Sequence, residues 1–224
     1  MPYRRPVARR LEAGLLLVAA AVAVLAVGCG GGSDETTSAA DLNGVLLPPA
    51  QLKPLVLEQT FAWDNATDYV AQGVSLPETS PPSKTIAAVE DAGFNAAAGQ
   101  SMTPKAGGVQ VHVLVASFDS NDGARQALDE LHQQDLQQPC AAACTVDPRP
   151  FKLAGIPNSE AVHQVPNGNK PPPGSQPFER FVVEFTIGSD LYTVDASGGP
   201  GDIPPARFVQ GSQMVYEYAR KHSS

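Results

Sequence analysis

A thiolate is the strongest nucleophile a side chain can offer, and the sequence places cysteines at Cys29, in VLAVGCGGGS, and at Cys140 and Cys144, in PCAAACT. Four histidines, His112, His132, His163 and His222, are scattered, with no H-E-x-x-H and no pair at i, i+4. His132 and Asp135 stand three apart in a helical segment and could meet a metal. Their neighbours Asp129 and Glu130 make the segment read instead as a solvated helix edge, and no metal is expected. The paired acids Glu90-Asp91 and Asp129-Glu130 are adjacent in sequence, so their side chains diverge on a helix, unlike the facing carboxylates of a glycosidase. No serine sits in a G-x-S-x-G elbow: AGQSM at 98–102 lacks the second glycine and ASGGPG at 196–201 has the wrong order. A phosphate-cradling G-x-x-x-x-G-K loop is absent as well. These motifs nominate no catalytic residue and no cofactor.

The surroundings of Cys29 say more. Arg4, Arg5, Arg9 and Arg10 precede an uncharged apolar run from Ala13 to Val27, the layout of an export signal. A run of about 15 residues is short of the roughly 20 needed to span a bilayer, and Gly, Ser and acids follow it without interfacial anchors. Cleavage is therefore expected over a permanent span.

The exit residues Leu25, Ala26, Val27, Gly28 and Cys29 resemble the lipobox of bacterial lipoproteins, with Ala26 where the commonest form has Leu. That resemblance implies residues 1–28 as a signal peptide and Cys29 as an acylated N-terminus. The implied partner is the membrane, reached through diacylglycerol and palmitate-type chains on the thioether. Two acyl chains exceed the single chain that binds only marginally, at about 0.8 kcal/mol per buried CH2. The location implied is the cell membrane, facing its extracytoplasmic side. Residues 29–42, with GGGS and DETTSAAD, have the composition of a flexible tether.

Removing residues 1–28 leaves 196 of 224 residues, enough for one domain with a real core. It also leaves 11 basic against 22 acidic residues, a net charge of −11. That field repels nucleic acid, and no basic stripe with interleaved aromatics is present. In an exported chain the pair Cys140 and Cys144 is expected as a disulfide. Their C-x3-C spacing has no second ligand pair for zinc and is not the C-x-x-C of redox proteins.

The elements that must carry any site run from residue 43 to residue 222. LLPPAQLKPLVL predicts a short helix started by Pro48 or Pro49 and interrupted by Pro54. LPETSPPS, 76–83, reads as a loop, and KTIAAVEDAGF as a short helix with Ile86, Val89 and Glu90, ended by Gly93, after which Phe94 packs on the core. GVQVHVLVASF is the clearest strand, with Val109, Val111, Val113 and Val115 on a face that must be buried and Gln110, His112, Leu114 and Ala116 on the other. An amphipathic helix follows over 121–138, with Asp119 or Ser120 as cap and Ala124, Ala127, Leu128 and Leu131 at helical spacing.

FKLAGIP and AVHQV are candidate short strands, and Pro166 to Pro177 a long loop. FERFVVEFTIGSDLYTV predicts a β-hairpin turning at Gly188, Ser189 and Asp190, and PARFVQGSQMVYEYARKH a closing helix with Phe208, Val209, Ser212, Val215, Tyr216 and Ala219 in one stripe. Together these predict an α+β domain, an antiparallel β-sheet with α-helices packed on one face. Trp63, with Phe61 and Tyr69 in FAWDNATDY, either lines a pocket or plugs one end of the core.

From Leu42 to Arg220, through AGF, VHVLVASFDSNDGARQAL, AGIPNSEAV and VEFTIGSDLYTV, the chain is similar to the uncharacterised secreted lipoproteins of high-GC Gram-positive (actinobacterial) bacteria. In outline it resembles the extracellular sensor domains of mycobacterial receptor kinases and PsbP-like lipoproteins. Those sensor domains usually carry two disulfides, and this chain can form one. The resemblance implies a non-catalytic binding or sensing module, with a small apolar ligand or an envelope protein as partner. A cell-envelope enzyme and a structural or assembly lipoprotein are the alternatives. A binding module predicts an apolar concavity with few titratable groups; an enzyme predicts acids or histidines converging in a cleft.

Overall fold

The computed structural model describes residues 37–74, 81–136, 146–168 and 177–223. Cys29, Cys140 and Cys144 lie outside the described residues. In the described residues the helices are α1 (Ala39–Leu42), α2 (Ala66–Gly73), α3 (Pro82–Asp91), α4 (Asn121–Leu136) and α5 (Pro205–His222). The strands are β1 (Leu55–Trp63), β2 (Phe94–Pro104), β3 (Val109–Phe118), β4 (Val146–Pro150), β5 (Ser159–Pro166), β6 (Glu179–Ile187) and β7 (Asp190–Gly198). They form one antiparallel sheet in the order β1-β2-β3-β7-β6-β5-β4. The meander β1-β2-β3 meets the meander β4-β5-β6-β7 at the centre, where Val113 lies opposite Val194.

The expected α+β architecture, an antiparallel sheet carrying helices, is present, and helices cover both of its faces. On one face Leu114, Ala116, Ala97 and Leu191 pack with Val70 of α2, Val89 of α3 and Leu128 of α4. On the other, Val113, Val115, Val183, Phe185 and Val194 pack with Leu42 of α1 and with Phe208, Val215 and Ala219 of α5. The physical reason lies in β3: its valine face is buried toward its C-terminal end as expected, and Leu114 and Ala116 are apolar enough to bury the second face too.

Several local signals act as read. Ser120 caps α4, its Oγ accepting from Gly123 N at 3.1 Å. Gly93 ends the α3 segment with φ +78°, a conformation that glycine adopts without a Cβ penalty. The β6-β7 hairpin turns at Gly188-Ser189, with Ile187 paired to Asp190.

Others are corrected. LLPPAQLKPLVL holds only a 3-10 turn at Pro49–Gln51, because Pro54 blocks continuation, and its last residues open β1. Pro82 and Ser83, expected in a loop, already belong to α3, with Pro82 at its start. FKLAGIP is irregular, with Leu153 and Ile156 buried beneath it, while AVHQV lies within β5. The tether's end is folded: Ser38 and Asp41 form a reciprocal capping box on α1, which buries Ala39 and Leu42, so the ordered domain starts before residue 43.

Candidate functional site

The residues with the greatest chemical potential lie where α4 crosses β6 and β7. Period-two alternation puts Arg180, Val182 and Glu184 of β6 on the face opposite Phe181, Val183 and Phe185. Register places Val182 opposite Asp195, Glu184 opposite Thr193 on β7, and Gln164 of β5 opposite Arg180. Above them Asp135 continues the stripe Ala124, Leu128 and Leu131, at i+4 from Leu131, so helical geometry directs it inward.

Glu184, Asp135, Arg180 and Asp195 are 3, 6, 7 and 8% exposed. Arg180 links the carboxylates. Its Nη1 donates to Asp135 Oδ1 at 2.8 Å, and its Nε and Nη2 both approach Asp195 Oδ2 at 3.0 Å. The buried Gln164 amide reaches the Asp135 carbonyl at 3.4 Å. Toward the surface, His132 Nε2 lies 3.6 Å from Glu160 Oε2, which Lys152 also approaches at 3.3 Å.

Burial governs the electrostatics. Burial, then the nearby Asp135, pushes the Glu184 carboxyl well above its ordinary range, with Arg180 opposing. Asp135 is also raised by burial, against the pull of Arg180. Burial disfavours the Arg180 charge, but Asp195 and Asp135 outweigh it and raise its pKa. Tyr69, fully buried beside Glu184, is raised by burial and by that carboxyl.

These groups line a small cavity of about 20 Å³ together with Tyr69, Gly73, Leu114, Leu131, Val182 and Thr193. Among the described residues, another concavity is shallow and open, lying beside α4 with Asp122, Arg125 and Gln133 on its wall.

The structure thus brings His132 and Asp135 into the protein rather than onto a solvated edge. Asp129 is exposed as expected, while Asp135 is drawn in by its place on the apolar stripe and by Arg180. No trio of His, Cys, Asp or Glu among the described residues is arranged to hold a metal. The other histidines lie apart. His163 stacks on Phe181 with ring centres 3.8 Å apart and contacts Glu179 at 2.6 Å on the α5 face, and His222 meets the Tyr218 carbonyl at 2.7 Å. The aromatics of FAWDNATDY form a packed ladder, Phe61 to Trp63 at 5.3 Å, Trp63 to Tyr69 at 5.9 Å and Tyr69 to Phe94 at 5.3 Å, and of the three Tyr69 also lines the cavity.

Arg180, Glu184 and Asp195 were not marked by any motif. The available signal was three charged residues inside segments otherwise fit for buried strands, RFVVEF and TVDA.

The class of protein so defined is an α+β domain built on one antiparallel sheet with a charged cluster sealed under a helix. No family profile matches the sequence, and no curated protein matches it. Among solved structures, the extracellular domain of PknH from Mycobacterium tuberculosis is similar with a TM-score of 0.54 and 15% identity, over 84% of this chain and 98% of that one. An uncharacterized protein of Mycobacterium smegmatis, the Rv0999 ortholog, aligns at 12% identity over 83% of this chain and 98% of that one, with a TM-score of 0.42. The first likeness shows a shared fold. Among the described residues no helix is long and apolar enough to cross a membrane.

Proposed function

We propose that the chain is a lipid-anchored extracytoplasmic module that binds or senses through its surface and does not catalyse a reaction. One observation carries the non-catalytic reading. The groups able to do acid-base chemistry, Asp135, Glu184 and Asp195, are nine-tenths or more buried around a cavity of about 20 Å³, which has no room for a substrate. Their convergence is what an enzyme of the cell envelope would need, and their closure under α4 argues against that use. The fold shared with an extracellular domain supports an extracytoplasmic location.

The same cavity mixes charged residues with apolar ones such as Leu114, Leu131 and Val182. An envelope protein meeting the domain's surface is the partner class we favour. The anchor is Cys29, for the reason its flanks give: a basic, then apolar leader ending at a small residue before a thiol.

The test is fractionation of cells expressing the full chain, fed an alkyne fatty acid. The wild type is expected in the membrane fraction and labelled, and Cys29→Ala unlabelled. A labelled Cys29→Ala variant, or an unlabelled wild type, overturns the anchor. Hydrolase or transferase activity of the purified chain that Glu184→Gln abolishes would overturn the non-catalytic reading.

A further inference from the structure

We propose that the small cavity beneath α4 and over strands β6 and β7 is a binding site for one water molecule, which donates its two hydrogens to Glu184 Oε2 and Asp195 Oδ1. Among the described residues these two oxygens are buried and have no hydrogen-bond partner. Both belong to side chains more than nine-tenths buried that line the cavity. A buried acceptor left unsatisfied costs the full desolvation of that group, and two such acceptors, on side chains that line one cavity, call for a ligand that brings donors.

Size selects the ligand. The cavity of about 20 Å³ exceeds the roughly 10–15 Å³ that one water requires and falls short of two. Hydrogen-bond capacity agrees. Arg180 directs both Nε and Nη2 at the same oxygen, Asp195 Oδ2, which leaves Oδ1 open, while Nη1 is directed at Asp135. Of its five N–H groups, two are not used by these contacts and are available to donate to the water oxygen. A water then has the two to four polar partners that characterise ordered internal waters. A metal ion fits less well, since no group of three His, Cys, Asp or Glu side chains among the described residues is placed to hold one. The site is independent of the surface-binding role proposed above, because Glu184, Asp195 and Arg180 are each more than nine-tenths buried.

The experiment is oxygen-17 magnetic relaxation dispersion on the full chain in detergent micelles, comparing the wild type with Val182→Ile. Val182 lines the cavity and is 1% exposed, so one added carbon fills the space a water would hold. The expected result is a loss of amplitude equal to one long-lived water in the variant. Equal amplitudes in two folded proteins overturn the proposal, as does a wild-type amplitude that falls when ammonium or sodium chloride is added, since the occupant is then a cation. A wild-type measurement covers a variant that fails to fold. Water cross-peaks to the methyl groups of Val182, Leu114 and Leu131 in NOE and ROE spectra are expected, and their absence overturns the site.

Discussion

Arg180 of β6 and Asp135 of α4 meet at 2.8 Å across 45 residues of chain, and both side chains are buried. This contact ties the last turns of α4 to the sheet where Asp195 supplies the second carboxylate. A buried ion pair is weak evidence of net stability, because desolvating both partners offsets most of their attraction. Its work here is positional: it fixes which part of β6 lies beneath α4.

That argument makes a two-sided prediction. Arg180→Met leaves Asp135 and Asp195 buried without their cation and is expected to destabilise the domain by about 3–5 kcal/mol. The triple variant Asp135→Leu, Arg180→Met, Asp195→Leu removes every uncompensated charge of the triad and is expected to regain most of the loss. Urea unfolding followed by the fluorescence of the single tryptophan, Trp63, measures both. A triple variant no more stable than Arg180→Met would show that the cluster contributes more than placement.

Gly123 yields a prediction opposite in sign to helix propensity. In the first turn of a helix, Gly→Ala ordinarily stabilises by up to about 1 kcal/mol. Here a Cβ on Gly123 would stand 2.1 Å from the backbone carbonyl oxygen of Ala92, so the α3-to-β2 turn must move to admit it. Gly123→Ala is expected to destabilise by about 1–3 kcal/mol, as overpacking does, and a rise in the urea midpoint would contradict that close approach.

The same physics explains which parts of the fold could be read from the sequence. Where periodicity is clear, as in β3, α4, α5 and the hairpin at Gly188-Ser189, local chemistry and the fold coincide. Strand β2, FNAAAGQSMTP, carries almost no β-branched residues. It is a strand because small side chains fit between packed neighbours, as at Gly99, whose Cβ would stand 2.4 Å from Leu114 Cδ2. Strand β4, VDPRP, hides behind two prolines that only an edge strand accommodates. The charged cluster was illegible for a different reason. Asp135 looks like a surface acid until Arg180 is brought to it by sheet register, and no spacing rule links positions so far apart in the chain.

Strand β1 is the sheet's other edge, and it lacks proline. Val56 and Leu57 are 42 and 41% exposed there, and the pairing register shifts between Leu57 and Gln59. Such edges are commonly blunted by charge and by bulges. Leu57→Lys is expected to change stability by no more than about 0.5 kcal/mol and to reduce light scattering at high protein concentration. A loss of more than about 2 kcal/mol would mean that Leu57 is packed rather than exposed.

The final prediction follows from Glu184, whose pKa is raised in the folded state by burial and then by Asp135. The folded domain holds this proton at a pH where the unfolded chain, with an ordinary glutamate near about 4.3, has released it. Folding is then coupled to proton uptake, so the contribution is fully present below the unfolded pKa and is lost as pH rises toward the folded one. Asp135, raised in the same direction, adds to the effect. Stability is therefore expected to fall as pH rises above the unfolded pKa of about 4.3, with a slope of at most about 1.4 kcal/mol per pH unit for each such group. Glu184→Gln keeps the shape of the neutral acid and cannot ionise, so its urea midpoint should fall less over the same range. Parallel profiles for the two proteins would show that Glu184 is ionised in the folded domain and that Arg180 supports more negative charge than two aspartates.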